Sequence, residues 1–265
     1  MKGLRADAGL SGQALGALVG KGQSWVAKVE RGALLISVAD VERWADATRA
    51  SAEAKTALID QATALHTEGH PWRALHRPGY RRHQETLQRA EQQAATIRTY
   101  QPNVVPGLLQ IAGYARAVLD VNAFGREDPA DAVKARVERQ AILYDDAKSF
   151  AFVITEAALR WRLCPLAVHL AQLDRIASLA TLPNVSVGII PWAAVAPVPP
   201  SNMFVAFDDS LVLVESLHGE QALKEQGDIA RYLAQFERLD ALAYHDDEAR
   251  TVLDRIVADL RGMGD

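Results

Sequence analysis

The stretch LSGQALGALVGKGQSWVAKVERG, residues 10–32, indicates two short helices joined by a tight turn. The first helix is expected over residues 12–19 with Ser11 as its N-cap, because a serine oxygen accepts a hydrogen bond from the free N–H groups of a first turn. Gly20 is expected to end this helix, since glycine readily adopts the left-handed conformation of a helix C-terminus. The second helix is expected over residues 23–31.

The apolar residues of the two helices have helical spacing, so each helix can bury one face against the other. These residues are Leu15, Val19, Val26 and Val29. By itself the pattern suits either a helix-turn-helix unit or a helical pair that only packs in a domain core.

The same stretch resembles the phage-repressor-like (XRE) helix-turn-helix family. The agreement is ungapped and rests on Leu10, Leu15, Val19, Gly20, Gln23, Val26, Val29, Glu30 and Gly32. That family reads DNA with its second helix in the major groove. The resemblance therefore implies a DNA-binding surface made by Lys21, Gln23, Ser24, Trp25, Ala27, Lys28 and Arg31.

The chemistry of these side chains agrees with DNA reading. Gln23 can pair with adenine through both its donor and its acceptor, Lys28 can donate to guanine, and the small Ala27 can contact a thymine methyl group. Lys21 and Arg31 lie at the ends of the second helix, where phosphate contacts are expected.

Three features of the stretch are less regular. Trp25 either packs on the surface of the module or lies against the sugar-phosphate backbone. Gly12 stands where the family often has a polar, phosphate-binding side chain, and Gly16 replaces the usual Ala at a cost of about 1 kcal/mol in a helix interior. The preceding helix retains little beyond residues 4–8, so either the true start lies upstream or the module is marginally stable alone.

Charge places the basic surface at the same end of the chain. The whole sequence has 29 Lys and Arg against 33 Asp and Glu, and its net charge of −4 gives no global attraction to nucleic acid. Residues 1–51 contain seven basic and five acidic side chains, a net charge of +2 that leaves −6 for the remainder. A DNA contact is therefore expected from the N-terminal module alone.

Three segments are predicted along the chain. Residues 1–65 form the helix-turn-helix module with a connecting helix over residues 52–65, residues 66–83 a linker or crossing loop rich in Gly and Pro, and residues 84–265 a regulatory or sensing domain. The arginines and histidines of the linker suit a solvated segment, an interdomain contact or a contact with flanking DNA.

The third segment mixes helical and strand patterns. Strands are expected over residues 150–155, 185–190, 203–207 and 211–215, and helices over 84–98, 108–119, 129–144, 166–181, 220–243 and 246–261. A helix between the first two strands predicts a βαβ crossover, and Asp208-Asp209-Ser210 predicts a hairpin. The fold class is α+β: an all-α module followed by a larger helical and mixed domain with a small four-stranded sheet.

This segment resembles the C-terminal domain, of unassigned biochemical function, in actinobacterial regulators such as the WhiJ-like developmental regulators. The matching pieces are residues 90–116, 136–143, 152–160 and 182–192, with the helix around Gln172. The resemblance implies a regulator, expected to be a repressor, that senses something or is held by a small partner protein, and it supplies no catalytic residues. The VPGLLQ piece at 105–110 suits either a corner where a helix begins or part of a pocket.

Signals for catalysis are sparse, so no enzyme is expected. Glu156 and Glu215 end predicted strands and His218 is close to the second, so these three form a candidate ligand or partner pocket, or simply ion pairs at a sheet edge. There is no Gly-rich phosphate loop and no nucleophile elbow.

Signals for a metal or cofactor are equally weak, and neither is expected. The one cysteine, Cys164, cannot form an internal disulfide or a cysteine zinc site. His66 and His70 have the spacing of a helical zinc pair, but Gly69 and Pro71 argue against a helix there.

We therefore expect a sequence-specific transcriptional regulator that binds double-stranded DNA as a homodimer, on a near-palindrome with half-sites about 10 bp apart. Its C-terminal domain would meet a small-molecule effector or a small protein partner. The alternatives are a protein-interaction regulator, antitoxin-like or anti-factor, with secondary DNA binding, and a ligand-binding or enzymatic C-terminal domain. No stretch is apolar enough for a membrane span or a signal peptide, so a cytoplasmic location is expected.

Overall fold

The computed structural model describes residues 1–34, 36–71, 80–122, 129–196, 202–216 and 219–263. The chain divides into two compact units. The N-terminal unit comprises residues 1–68 with 223–225, and the C-terminal unit comprises residues 69–222 with 226–265.

The described part of the N-terminal unit consists of helices α1 (Lys2–Asp7), α2 (Gly12–Leu18), α3 (Gln23–Glu30), α4 (Val38–Ala47) and α5 (Ala52–His66). The predicted bounds of α2, α3 and the connecting helix α5 are confirmed to within about one residue, a margin typical of helix ends. Ser11 caps α2 and Ser51 precedes α5, each accepting a backbone N–H at 3.0 and 3.1 Å respectively.

The core of the N-terminal unit forms between α2, α3 and α4. Leu15, Val19 and Val26 are buried together with Trp44, and the half-buried Val29 packs against them. The apolar spacing predicted for the two helices is confirmed, because its members meet in one cluster around a fully buried Trp44.

The C-terminal unit combines seven helices with the strands of a mixed sheet, within the described residues. The helices are α6 (Tyr80–Gln93), α7 (Ala112–Asn122), α8 (Ala130–Arg139), α9 (Glu156–Arg160), α10 (Leu166–Leu179), α11 (Gln226–Asp240) and α12 (Asp246–Met263). Short 3-10 helices occupy Gly107–Leu109 and Gln140–Tyr144.

The strands are β1 (Thr67–Pro71), β2 (Thr96–Gln101), β3 (Ser149–Thr155), β4 (Val185–Ile190), β5 (Phe204–Phe207), β6 (Leu211–Glu215) and β7 (Gly219–Leu223). Their order is β1-β7-β6-β5-β2-β3-β4, and β1 spans the point at which the two units divide. The expectation of four strands was therefore wrong, since β1, β2 and β7 were missed.

Two predicted connections are confirmed. Strands β3 and β4 are parallel neighbours, with Phe150 opposite Val185, and α10 crosses between them. Strands β5 and β6 form the antiparallel hairpin, and Asp208 in its turn has a φ of +49°.

The missed strand β2 lies in the interior of the sheet, parallel to β3 and antiparallel to β5. It replaces the end of a helix expected to run to residue 98, and β7 replaces the start of one expected from residue 220. Pairing with neighbouring strands decides both segments, because strand preference depends on context more than on residue type.

Alternation along β2 separates the two faces of the sheet. Tyr100 packs against Phe204 of β5 with ring centroids 5.7 Å apart, and Tyr232 of α11 meets the same Phe204 at 5.0 Å. Ile97, Thr99 and Gln101 lie on the opposite face of β2. No helix of the described residues is both long and apolar enough to cross a lipid bilayer.

Candidate nucleic-acid interface and a buried cavity

A close backbone approach forms the turn between α2 and α3. The N–H of Lys21 donates to the carbonyl of Gly16 at 2.7 Å, and Gly20 has a φ of +70°. A Cβ atom on Gly16 would lie 2.8 Å from the carbonyl oxygen of Lys21, closer than packing allows. The glycine that departs from the helix-turn-helix pattern therefore accommodates the close approach of this turn.

Helix α3 turns one face to the core and the opposite face to solvent. Val26 is buried, whereas Gln23, Ser24 and Lys28 are exposed. Among the described residues, none of these three exposed side chains forms an ion pair or a hydrogen bond with another side chain. They form a polar surface of the kind that reads base edges.

Trp25 lies on the core side of this surface. It is half-buried, its ring centroid is 6.0 Å from that of Trp44, and the Lys21 ammonium lies 5.4 Å from its ring. Of the two roles considered for Trp25, the structure supports packing on the unit itself.

Lys21 lies beside a carboxylate. Its ammonium is 3.6 Å from Asp40, which also accepts hydrogen bonds from Arg43 and Ser37. Burial alone would raise the pKa of Asp40, but these hydrogen bonds and the Lys21 charge lower it below the ordinary value. Part of the Lys21 charge is therefore already compensated.

The remaining two predicted residues lie near the end of α3. Ala27 is half-buried. Arg31 is exposed, and its Nε donates to the carbonyl of Ala27 at 3.1 Å, which satisfies one of the free carbonyls of the last turn. The outer atoms of its guanidinium stay at the surface.

The predicted C-terminal pocket is not assembled as expected. Glu156 accepts hydrogen bonds from Arg160 at 2.8 Å, Arg255 at 3.0 Å and the Trp192 N–H at 2.8 Å. Burial would raise the pKa of Glu156, but these partners lower it below its ordinary value. Glu156 therefore connects α9, α12 and the segment after β4.

Glu215 lines a different cavity from Glu156, so the structure does not bring these two carboxylates together. His218, the third residue of the predicted pocket, lies outside the described residues, as do the side chains of the basic linker.

The cavity that Glu215 lines has a volume of about 360 Å³ and lies wholly within the C-terminal unit. The sheet residues on the Ile97 side of β2 form one wall, and α6, α7 and α8 contribute the other. Its charged lining residues are Glu91, Arg136, Arg139, Glu215 and Glu220.

Glu91 and Arg139 form a buried ion pair in the cavity wall. Arg139 Nε lies 3.2 Å from Glu91 Oε2, without the alignment of a hydrogen bond. Burial raises the pKa of Glu91 to about 7, against the opposing charges of Arg139 and Arg136. Arg139 also approaches Gly107 so closely that a Cβ there would lie 3.2 Å from its Nη2.

Arg136 is fixed by two amides. Its Nη1 donates to Gln110 Oε1 at 2.8 Å and its Nε to Gln84 Oε1 at 3.4 Å. Removal from solvent, together with the charge of Arg139, lowers the pKa of Arg136 to about 10, against the opposing charges of Glu215 and Glu91. Gln110 ends the VPGLLQ piece, so this corner both begins a helical turn and lines the cavity.

Sequence reasoning singled out only Glu215 among the charged residues of this cavity. The others gave one signal: Glu91, Arg136 and Arg139 lie in pieces 90–116 and 136–143, which carry the family resemblance. The two arginines are also three positions apart, and so share one face of α8.

Comparison with known families gives two matches. A helix-turn-helix domain family matches residues 1–58, and a family described as a domain of unknown function, DUF5753, matches residues 84–255. Both resemblances predicted from the sequence are confirmed. No curated protein matches the chain.

Two solved structures show distant likeness. A phospholipase D family member, Nuc, from Salmonella typhimurium is 12% identical, with 62% of this chain and 90% of that chain covered and a TM-score of 0.36. TrmBL2, an archaeal chromatin protein, is 11% identical, with 84% and 67% covered and a TM-score of 0.35. At such scores neither likeness bears on the fold or function.

Proposed function

Since the chain belongs to the DUF5753 family and carries a helix-turn-helix domain over residues 1–58, we propose that it is a sequence-specific transcriptional regulator that reads DNA with α3. The observation that carries the proposal is the solvent face of α3, where Gln23, Ser24 and Lys28 stand exposed above a buried Val26.

The side chains of this face divide by chemistry. Gln23 and Lys28 have hydrogen-bonding groups that suit adenine and guanine edges in the major groove, and Ser24 can bond to either base edges or phosphates. Lys21 and the outer guanidinium atoms of Arg31 flank this face and suit phosphate contacts.

The finer proposal is a homodimeric repressor that acts in the cytoplasm, where its DNA partner would be. One reading helix covers only a few base pairs, so a two-fold dimer on a near-palindrome would supply the length that specificity needs. The C-terminal unit would sense an effector or bind a small protein. We propose that it acts by binding rather than catalysis, because Glu156 is engaged in ion pairs and lies apart from Glu215.

The test begins with selection of bound fragments from genomic DNA. The double variant Gln23→Ala, Lys28→Ala is then compared with the wild type on a selected operator and on a scrambled duplex. We expect the variant to bind both duplexes equally. Lys134→Ala, which removes one positive charge from an exposed position of α8, is the charge-matched control and should keep specific binding. Unchanged specificity in the double variant would overturn the assignment of α3.

A second candidate is a protein-interaction regulator, antitoxin-like or anti-factor, with secondary DNA binding. It is favoured by large apolar side chains at the surface of the C-terminal unit, with Trp192 72% and Val195 91% exposed beside the cavity that Glu156 lines. A stoichiometric protein partner that is lost on Trp192→Ala, with no shift of genomic DNA, would support this candidate over the first.

A further inference from the structure

We propose that the cavity lined by Glu215 binds an apolar amino acid or a closely related zwitterion, with the ligand carboxylate at Arg136 and Arg139 and its ammonium at Glu215 and Gln101. The inference deepens the sensing role proposed above and depends on it only for the effect on DNA binding. The site itself depends on the cavity and its wall.

The size of the cavity suits a small molecule. Its volume of about 360 Å³ lies near the lower end of the range of ~300–1,000 Å³ typical of ligand pockets. Its lining combines apolar side chains with many polar and charged ones, so it can both enclose a small ligand and orient it.

Opposite charges line this cavity without forming an ion pair with each other. Arg136 and Glu215 both line it, yet in the described part of the chain no ion pair within 4.0 Å joins them. Charges removed from solvent are normally paired. A ligand that carries both a cation and an anion would meet each of them without disturbing the other contacts of Arg136.

The arginine side of the cavity has an unused hydrogen-bond donor. Arg139 is 7% exposed, and its Nη1 has no hydrogen-bond partner in the described structure. Arg136 is held in place by Gln110 and Gln84, which leaves its guanidinium oriented before a ligand arrives. A carboxylate matches such a planar fork of N–H donors.

The sheet side of the cavity has an unused hydrogen-bond acceptor. Gln101 is 3% exposed, its Nε2 donates to Met203 Sδ at 3.4 Å, and its Oε1 has no hydrogen-bond partner among the described residues. Glu215 adds a carboxylate to the same lining. An ammonium group, with three donors, fits this set of acceptors.

The body of the ligand is expected to be apolar. Phe152, Phe207 and Leu213 line the sheet side, and Leu87 and Val118 line the helix side. These apolar side chains offer contact to a hydrocarbon side chain of the ligand.

The binding test uses the full chain without DNA. The probes are the twenty proteinogenic L-amino acids, examined by thermal shift and then by calorimetry. For leucine, two single-charge analogues are added: isopentylamine, which lacks the carboxylate, and 4-methylpentanoate, which lacks the amine. We expect at least one apolar amino acid to bind and to raise the Tm, and each analogue of it to bind at least tenfold more weakly.

Variants test the two ends separately. Glu215→Gln and Arg136→Met are each expected to weaken binding at least tenfold, and Lys134→Ala should leave it unchanged. Gln101→Met, which keeps the volume and removes the acceptor, is a second probe of the ammonium end if Glu215→Gln fails to fold. Three results would each overturn the site. The first is that no amino acid binds at millimolar concentration, and the second is that the single-charge analogues bind as well as the amino acid. The third is unchanged binding in a folded Glu215 or Gln101 variant.

A final measurement separates this inference from the proposed function. Operator binding is titrated with and without the amino acid that binds. A ligand that binds and leaves DNA affinity unchanged refutes the sensing role, while the site stands. If the protein shows no specific DNA binding at all, the regulator assignment fails and the ligand titration still decides the site.

Discussion

Arg5 of α1 donates two hydrogen bonds to the carboxylate of Glu30 at the end of α3, from Nε to Oε1 at 2.6 Å and from Nη2 to Oε2 at 3.1 Å. The same guanidinium donates from Nη1 to the carbonyl of Leu10 at 2.8 Å. One side chain thus joins the first helix, the segment before α2 and the reading helix. The short α1 is therefore part of what positions α3.

Glu30→Gln is expected to lower the thermal midpoint of the N-terminal unit and to change its pH dependence. The hydrogen bond from Arg5 lowers the pKa of Glu30, so its contribution is present above the ordinary glutamate pKa and is lost as pH falls through the lowered value. Hydrogen exchange of peptides from α1 to α3 is measured between about pH 6 and pH 3. Protection should fall less steeply with decreasing pH in the variant than in the wild type. The exposed Glu42→Gln is the control, and identical profiles for both variants would contradict the role of the pair.

Gly16→Ala is expected to destabilise the N-terminal unit even though alanine is the better helix former. The new Cβ would lie 2.8 Å from the Lys21 carbonyl, and such overpacking typically costs about 1–3 kcal/mol. Gly3→Ala in α1 is the matched control, because a Cβ there meets nothing within 4 Å and should gain from helix propensity. Denaturant unfolding measures both, and equal stabilisation of the two variants would show that the turn tolerates a side chain.

Arg31→Ala and Gln23→Ala are expected to affect DNA binding in different ways. Because the exposed guanidinium of Arg31 suits a phosphate contact, its loss should reduce the slope of log affinity against log salt by about 1 and weaken all duplexes alike. Gln23→Ala should instead reduce discrimination at one base pair by about 1–3 kcal/mol and leave the slope unchanged. Anisotropy titrations at several salt concentrations distinguish the two variants, and a base-specific loss in Arg31→Ala would contradict its phosphate role.

Glu156→Gln is expected to destabilise the C-terminal unit by about 1.5–3 kcal/mol, the usual loss when hydrogen bonds to a charged group are removed. The carboxylate accepts from Arg160, Arg255 and the backbone at Trp192, so the amide cannot satisfy all three donors. Because these partners lower the pKa of Glu156, its contribution is present above the ordinary glutamate pKa and is lost at lower pH. Exposed Glu237→Gln serves as control in urea unfolding. A stable Glu156→Gln protein would contradict this structural role.

Local signals in the sequence were sufficient to predict the helices of the helix-turn-helix unit. Ser11 and Gly20 mark the ends of α2, and the apolar spacing of α2 and α3 gives their buried faces. Strand β2 (TIRTYQ) has no such residues to mark its start, because it follows a polar helix directly. Strand β7, GEQAL, lacks the β-branched and aromatic residues on which strand prediction depends.

The cavity could not be predicted for a related reason. Its charges come from α6, α8, β6 and β7, which are distant in the sequence. Periodicity shows which face of an element is apolar, but it does not show which polar residues of separate elements meet. Glu156 directly follows β3 and Glu215 ends β6, and only the tertiary fold separates them into two sites.

The carboxylate of Asp208 in the β5–β6 turn accepts the backbone N–H of Ala95 at 3.1 Å and that of Thr96 at 2.7 Å, which are 113 and 112 positions away. Strand β2 therefore acquires this contact only after the ribosome has added Asp208, much later in synthesis. The helices of the N-terminal unit need mainly near neighbours, so they can fold while synthesis continues. We expect the DNA-reading part of a nascent chain to mature well before its sheet closes.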